Sequence, residues 1–147
     1  MARVDFYHLT RDGAPTALAM LAGKVLGAGQ RLLAVDGEEA GREALSRALW
    51  EADGFLANGI ASDTANDPRQ PVLISATATS AANGATIVAL ADGQWREEAL
   101  SFDRVLLLFD EANIAGARQC WRDLGQADGV ERHYWSQDER GRWREGP

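Results

Sequence analysis

VDFYHLTRDGAPTALAMLAGKVLGAGQRLLAV (Val4–Val35) is the stretch from which the fold is read. Its first six residues, Val4–Leu9, alternate and are rich in β-formers, which predicts a strand. DGAPTALAMLAGKVLGAG follows, with Pro15 suited to a first helical turn and Gly29 suited to end the helix. Ala17, Leu18, Leu21, Val25 and Leu26 recur at helical spacing and predict its buried face. RLLAV (Arg31–Val35) is a short apolar run of the kind found in strands covered on both faces. Strand, helix, strand is the pattern of an α/β chain.

The rest of the sequence extends that pattern. Asp36 followed by Glu39 predicts a variant capping box opening a helix through Trp50, with Ala40, Ala44, Leu45, Ala48 and Leu49 as its stripe. FLANGIASDTANDPRQ is rich in Asn, Asp, Gly and Pro and reads as loop. PVLISAT and ATIVAL read as strands around a SAANG turn, and QWREEALSFD as a polar connection. RVLLLFD is the most apolar strand. Asn113–Leu124 has helical spacing, with Ile114, Ala117, Trp121 and Leu124 on one stripe. VERHYWSQD and RWREG predict two short strands joined across Glu139–Gly141. With no repeat or linker, the expectation is one domain over residues 1–147: α/β, with a mixed, mostly parallel sheet flanked by helices.

Composition narrows the function. A net charge of −7 and a pI near 4.8 argue against strong direct binding to DNA through a broad basic face. No apolar run is long enough for a membrane span, and MARVDFYHLT has no signal-peptide pattern, so a cytoplasmic protein is expected. The lone Cys120 excludes an internal disulfide and suits a reducing compartment. The early strand-to-helix turns, TRDGAP and DGEEAG, lack both glycine-rich phosphate fingerprints, and Asp36, Glu38 and Glu39 stand where phosphate charge would fall. Cys120, His8 and His133 are too few and too scattered for a structural metal site. Ser46, Ser75 and Ser80 have no nucleophile-elbow setting. No cofactor is expected. A Rossmann-like nucleotide-binding protein or small enzyme remains the alternative, and a self-associating scaffold a third.

The C-terminal stretch differs from what precedes it. From Arg118 to Pro147, six Arg balance six Asp and Glu, and three of the five Trp fall there (Trp121, Trp135, Trp143). Arg and Trp are over-represented where proteins grip one another. Arg118 and Arg122, four apart on a helix, place two guanidinium forks beside Trp121, a fit for a carboxylate next to an apolar side chain. On spacing alone, the plainer reading makes Trp121 core and both arginines solvated flank.

Several segments together are recognisable: VDFYHL, RALWEADGFLANGIASD, QPVLIS, RVLLLFD, ARQCWR and the closing HYWSQDERGRW. In that order, nearly end to end, the chain resembles the chi subunit family of bacterial DNA polymerase III, part of the clamp-loader assembly. The resemblance implies a Rossmann-like domain without nucleotide site or catalytic activity. It also implies two partners, the psi subunit and the acidic, Phe-ended C-terminal tail of single-stranded DNA-binding protein. By the resemblance, Arg118, Trp121 and Arg122 fall on the family's basic–aromatic–basic stretch for that tail. Its terminal ring is expected near Trp121 and the Leu108–Phe109 strand end. The psi contact is expected at Trp50, Phe55, Leu56 and Ile60, although this chain has Ala57-Asn58 where relatives often carry Pro-His. Tyr134, Trp135 and Trp143 are expected to be structural, covering a sheet edge. Arg140, Arg142 and Arg144 are expected to add positive potential for an acidic peptide.

Overall fold

The computed structural model describes residues 2–62 and 65–146. Its strands are β1 (Ala2–His8), β2 (Leu32–Val35), β3 (Asn58–Ile60), β4 (Val72–Ser75), β5 (Ile87–Leu90), β6 (Arg104–Phe109), β7 (Val130–Gln137) and β8 (Trp143–Glu145). Among the described residues, three α-helices intervene: α1 (Ala14–Gly27), α2 (Glu39–Glu51) and α3 (Ile114–Gly125). The strands form one sheet in the order β3-β4-β2-β5-β6-β1-β7-β8, parallel throughout except for the antiparallel β7–β8 pair. The expected α/β class and mostly parallel sheet are therefore observed.

Alternation along β1 sorts the core into two layers. Tyr7 joins α1, α2, Leu106 and Leu108 on one face. Val4 and Phe6 join α3, Leu107 and Phe109 on the other. Burial of these apolar faces, at about 25 cal/mol per Å², is the main force holding helices to sheet. Gly29 ends α1 with φ +77°, a conformation open to glycine at little cost. Leu26 is half-buried rather than fully in the core.

Two local expectations are corrected. Asp36 does not cap α2. The helix begins after Glu38, and although the Asp36 carboxylate lies against Gly41 in the first turn, it accepts none of that turn's N–H groups among the described residues. Its carboxylate instead accepts the Glu38 N–H at 2.9 Å, and Arg42 donates to its carbonyl at 3.0 Å. Ala40 is exposed, and Leu45 and Leu49 alone of the expected stripe are fully buried. The second correction is β3, in a segment read as loop. Asn58 is buried, accepts from Ser46 Oγ at 2.6 Å and donates to the Leu56 carbonyl at 2.9 Å. Those bonds seat a three-residue strand against β4 that is too short to show periodicity. Asp63 and Thr64 of that segment lie outside the described residues.

The β7–β8 hairpin carries a titratable clasp. His133 Nδ1 bonds Glu145, and Nε2 stands 3.1 Å from Glu131. Glu145, which accepts from the imidazole, and then the nearby Glu131 carboxylate raise it above its usual 6.5. A raised folded value means the clasp contributes fully below 6.5 and is lost as pH rises through that folded value. Thermal melts of the wild type and Glu145→Gln should therefore differ most near pH 6 (about) and converge in alkali. A difference constant with pH would contradict the clasp.

A cationic aromatic pocket between α3 and β7

Neighbouring strands in register bring Phe6, Tyr134 and Phe109 to one face: Phe6 lies beside Tyr134, and His8 beside Phe109. Helix α3 crosses above them. It runs from Asn113, whose side-chain oxygen accepts the Asp110 N–H at 2.8 Å, and buries Ala117, Cys120 and Leu124 against the sheet. Between helix and strands is an open cavity of about 300 Å³, lined by Phe6, Phe109, Ile114, Ala117, Trp121 and Tyr134. Arg118 and Arg122 stand at its rim.

Trp121 is fixed from three sides. Its ring meets Phe6 edge-on at 5.1 Å and Tyr134 at 6.2 Å. The Arg132 guanidinium lies 4.3 Å over it while donating to the Trp121 carbonyl at 2.7 Å. These contacts make a rigid apolar wall at little entropic cost to a ligand. The Tyr134 hydroxyl is engaged with His8 Nδ1 at 2.9 Å, and His8 stacks on Phe109. Burial pushes the Tyr134 hydroxyl up in pKa, and the nearby Arg118 charge partly offsets it. Arg118 and Arg122 are exposed, and neither has an ion pair among the described residues. Arg122 bonds only Gln119, at 2.8 Å. Two uncompensated guanidinium groups beside an aromatic slot suit a carboxylate attached to a ring.

Of the residues expected for the acidic tail, Arg118, Trp121, Arg122 and Phe109 meet here. Leu108 does not. It points to the opposite face, 1% exposed among the α1 contacts, because successive strand residues alternate. Tyr134, expected to be structural, lines the pocket as well; its register with Phe6 was invisible before the β1–β7 pairing was known. Trp135 and Trp143 pack on Tyr7 on the far face, away from this pocket. Cys120 is buried, and burial pushes its thiol up to about 12, so it stays protonated.

The other expected contact set occupies the opposite end of the sheet. Trp50, Phe55 and Ile60 are 49%, 73% and 39% exposed, so none is an ordinary core residue. Leu56 is half-buried against the α1–α2 layer. Phe55 adopts φ +50°, the single non-glycine residue with positive φ among those described. A left-handed, exposed phenylalanine costs about 1 kcal/mol relative to glycine. Phe55→Gly should accordingly raise the unfolding free energy by about 1 kcal/mol in denaturant titration. A loss of stability would mean that the ring packs in the isolated chain.

The model of the family described as DNA polymerase III chi subunit, HolC, matches residues 1–131. The chain belongs to that family. No curated protein matches it. Chi-family membership gives the chain an accessory role in DNA replication. The matched span includes α3 with both rim arginines and the Trp50–Ile60 region; Tyr134 and the β8 hairpin lie beyond it.

Proposed function

We propose that this chi-family protein is a non-catalytic, cytoplasmic adaptor that captures the acidic C-terminal tail of single-stranded DNA-binding protein and holds the psi subunit at a separate surface. The observation that carries the reading is the α3–β7 pocket: an apolar, aromatic cavity whose rim bears two unpaired arginines on an otherwise acidic protein. The terminal Phe ring enters between Trp121, Phe109 and Tyr134. Its α-carboxylate and the preceding acidic side chains pair with Arg118 and Arg122.

The geometry of an adaptor supports this. Strand β3 and the Trp50–Ile60 patch lie six strand positions from β7, about 29 Å at the usual spacing. Two partners at that separation do not collide. Exposed Trp50, Phe55 and Ile60 form the kind of apolar patch that a partner protein covers.

The nucleotide-binding alternative has little room. In parallel sheets of this type, ligands sit at the carboxyl ends of the strands, where the strand order reverses. There Asp92 accepts the Gly37 and Gln94 N–H groups at 3.0 and 3.1 Å, and Arg96 clamps both its oxygens at 2.8 and 2.9 Å. A carboxylate of the chain itself thus takes the backbone donors a phosphate would use.

The test is fluorescence anisotropy of a labelled acidic peptide ending in Phe, titrated with the protein at low and moderate salt. Removing the terminal Phe should weaken binding by at least about tenfold, the worth of one buried ring. Equal binding of both peptides would exclude capture in the pocket.

A further inference from the structure

A second cavity, of about 320 Å³, lies on the opposite face of the sheet, between α1 and the β7–β8 hairpin. It belongs to neither surface described above. Its walls include Tyr7, Leu106, Trp135 and Trp143, and its charged lining residues are Arg3, Lys24 and Arg104, all cations.

What distinguishes it is how the arginines are held. Asp5 lies beneath them, fully buried. Its carboxylate accepts Arg3 Nε and Nη2 at 3.0 Å each, Arg104 Nε at 2.8 Å and Trp135 Nε1 at 2.9 Å. Arg104 Nη2 reaches the Tyr7 hydroxyl at 3.3 Å. The bonds of both forks therefore run through Nε and Nη2, and each Nη1 has no hydrogen bond among the described residues. Lys24 has no ion pair there either, and Trp143 Nε1 has no acceptor.

The cavity thus collects cationic donors, and its side-chain acceptors, the Gln30 amide oxygen and the Tyr7 hydroxyl, are both uncharged and already engaged. One buried negative charge fixes two guanidinium groups, and the Lys24 ammonium adds to the surplus. Glu131, next to Arg3 in register, is turned to His133. The aromatic walls are locked in place: Tyr7 stacks on Trp135 and meets Trp143 edge-on at 5.3 Å. Pre-organised donors over a rigid aromatic wall are the makings of an anion site.

We propose that this cavity is a second ligand site, one that takes a small aromatic anion: a flat ring bearing a carboxylate or phosphate. The ring lies against Trp143 and Tyr7. The anionic group meets Arg3 Nη1, Arg104 Nη1 and Lys24. Asp5 is a positioning residue for both arginines and does not touch the ligand.

The experiment is a titration of the ¹⁵N-labelled protein with benzoate, with phenyl phosphate and with uncharged benzyl alcohol, read at the indole N–H signals. Trp135 and Trp143 report this cavity, and Trp121 reports the α3–β7 pocket. At least one anion should give saturable shifts at Trp143 and Trp135, and the tighter of the two identifies the acid group. Benzyl alcohol should bind at least about tenfold more weakly, and Lys24→Glu, on the exposed surface of α1, should weaken the anion similarly. Shifts confined to Trp121, an equal response to benzyl alcohol, or no effect of Lys24→Glu would overturn the proposal. Because Trp121 is read in the same spectra, failure here is separable from failure of tail capture.

Discussion

Replacing Arg118 and Arg122 together by alanine should reduce affinity for an acidic, Phe-ended peptide by about a hundredfold, and Arg122→Ala alone by about tenfold. Each guanidinium supplies hydrogen bonds to a charged acceptor, worth about 1.5–3 kcal/mol, and 1.4 kcal/mol is one decade. Neither arginine has an ion pair to reorganise, so its truncation leaves no orphaned carboxylate in the protein. Both are exposed on α3, and alanine is the better helix former, so the double variant should melt within a degree or two of the wild type. Salt provides an independent check. Raising ionic strength should weaken wild-type binding steeply and the double variant's hardly at all, since screening acts on the charges the variant lacks. An affinity unchanged by the double substitution would remove these residues from the site.

The largest effect on stability is expected at Asp5. Asp5→Ala should lower the unfolding free energy by about 3–5 kcal/mol, the range for breaking a buried ion pair from one side, and the melting temperature by about 10 °C. Four donors from Arg3, Arg104 and Trp135 converge on this one fully buried carboxylate. Removing it strands two partly buried cations side by side. Arg3→Ala should cost far less, about 1 kcal/mol, because Arg3 is 38% exposed and Arg104 and Trp135 still satisfy Asp5. Acid should reproduce the loss. Burial pushes the Asp5 carboxyl up, but the bonds from Arg3, Trp135 and Arg104 together outweigh it and hold the value below 3.8. A lowered value in the folded state means stability that is present above 3.8 and lost as pH falls through the folded value. Equal melting temperatures for Asp5→Ala and wild type at neutral pH would contradict this account.

The legible parts of the sequence were those with a strong period. Helices α1 and α3 and the apolar strands β2 and β6 were visible because their buried faces repeat at helical or continuous spacing. Strand β3 was not, since three residues around a glycine show no period and its place depends on the Ser46–Asn58 bond. The rim of the α3–β7 pocket could be read from the Arg118–Arg122 spacing joined to the family resemblance. Its floor could not. Phe6 and Tyr134 are 128 positions apart and meet only because β7 pairs with β1, and strand pairing is a tertiary choice. Leu108 was misplaced for a related reason: in a strand buried on both faces nothing in the composition says which residues share a side with α3.

Where the terminal ring of the tail rests is the central claim, and an isotope-filtered NOE spectrum of the protein with a ring-protonated acidic peptide tests it directly. Contacts from the peptide's Phe ring to Trp121, Ile114 and Tyr134 are the predicted result. Contacts to Tyr7 and Trp143 instead, with none to Trp121, would place the ring in the opposite cavity and contradict capture between α3 and β7.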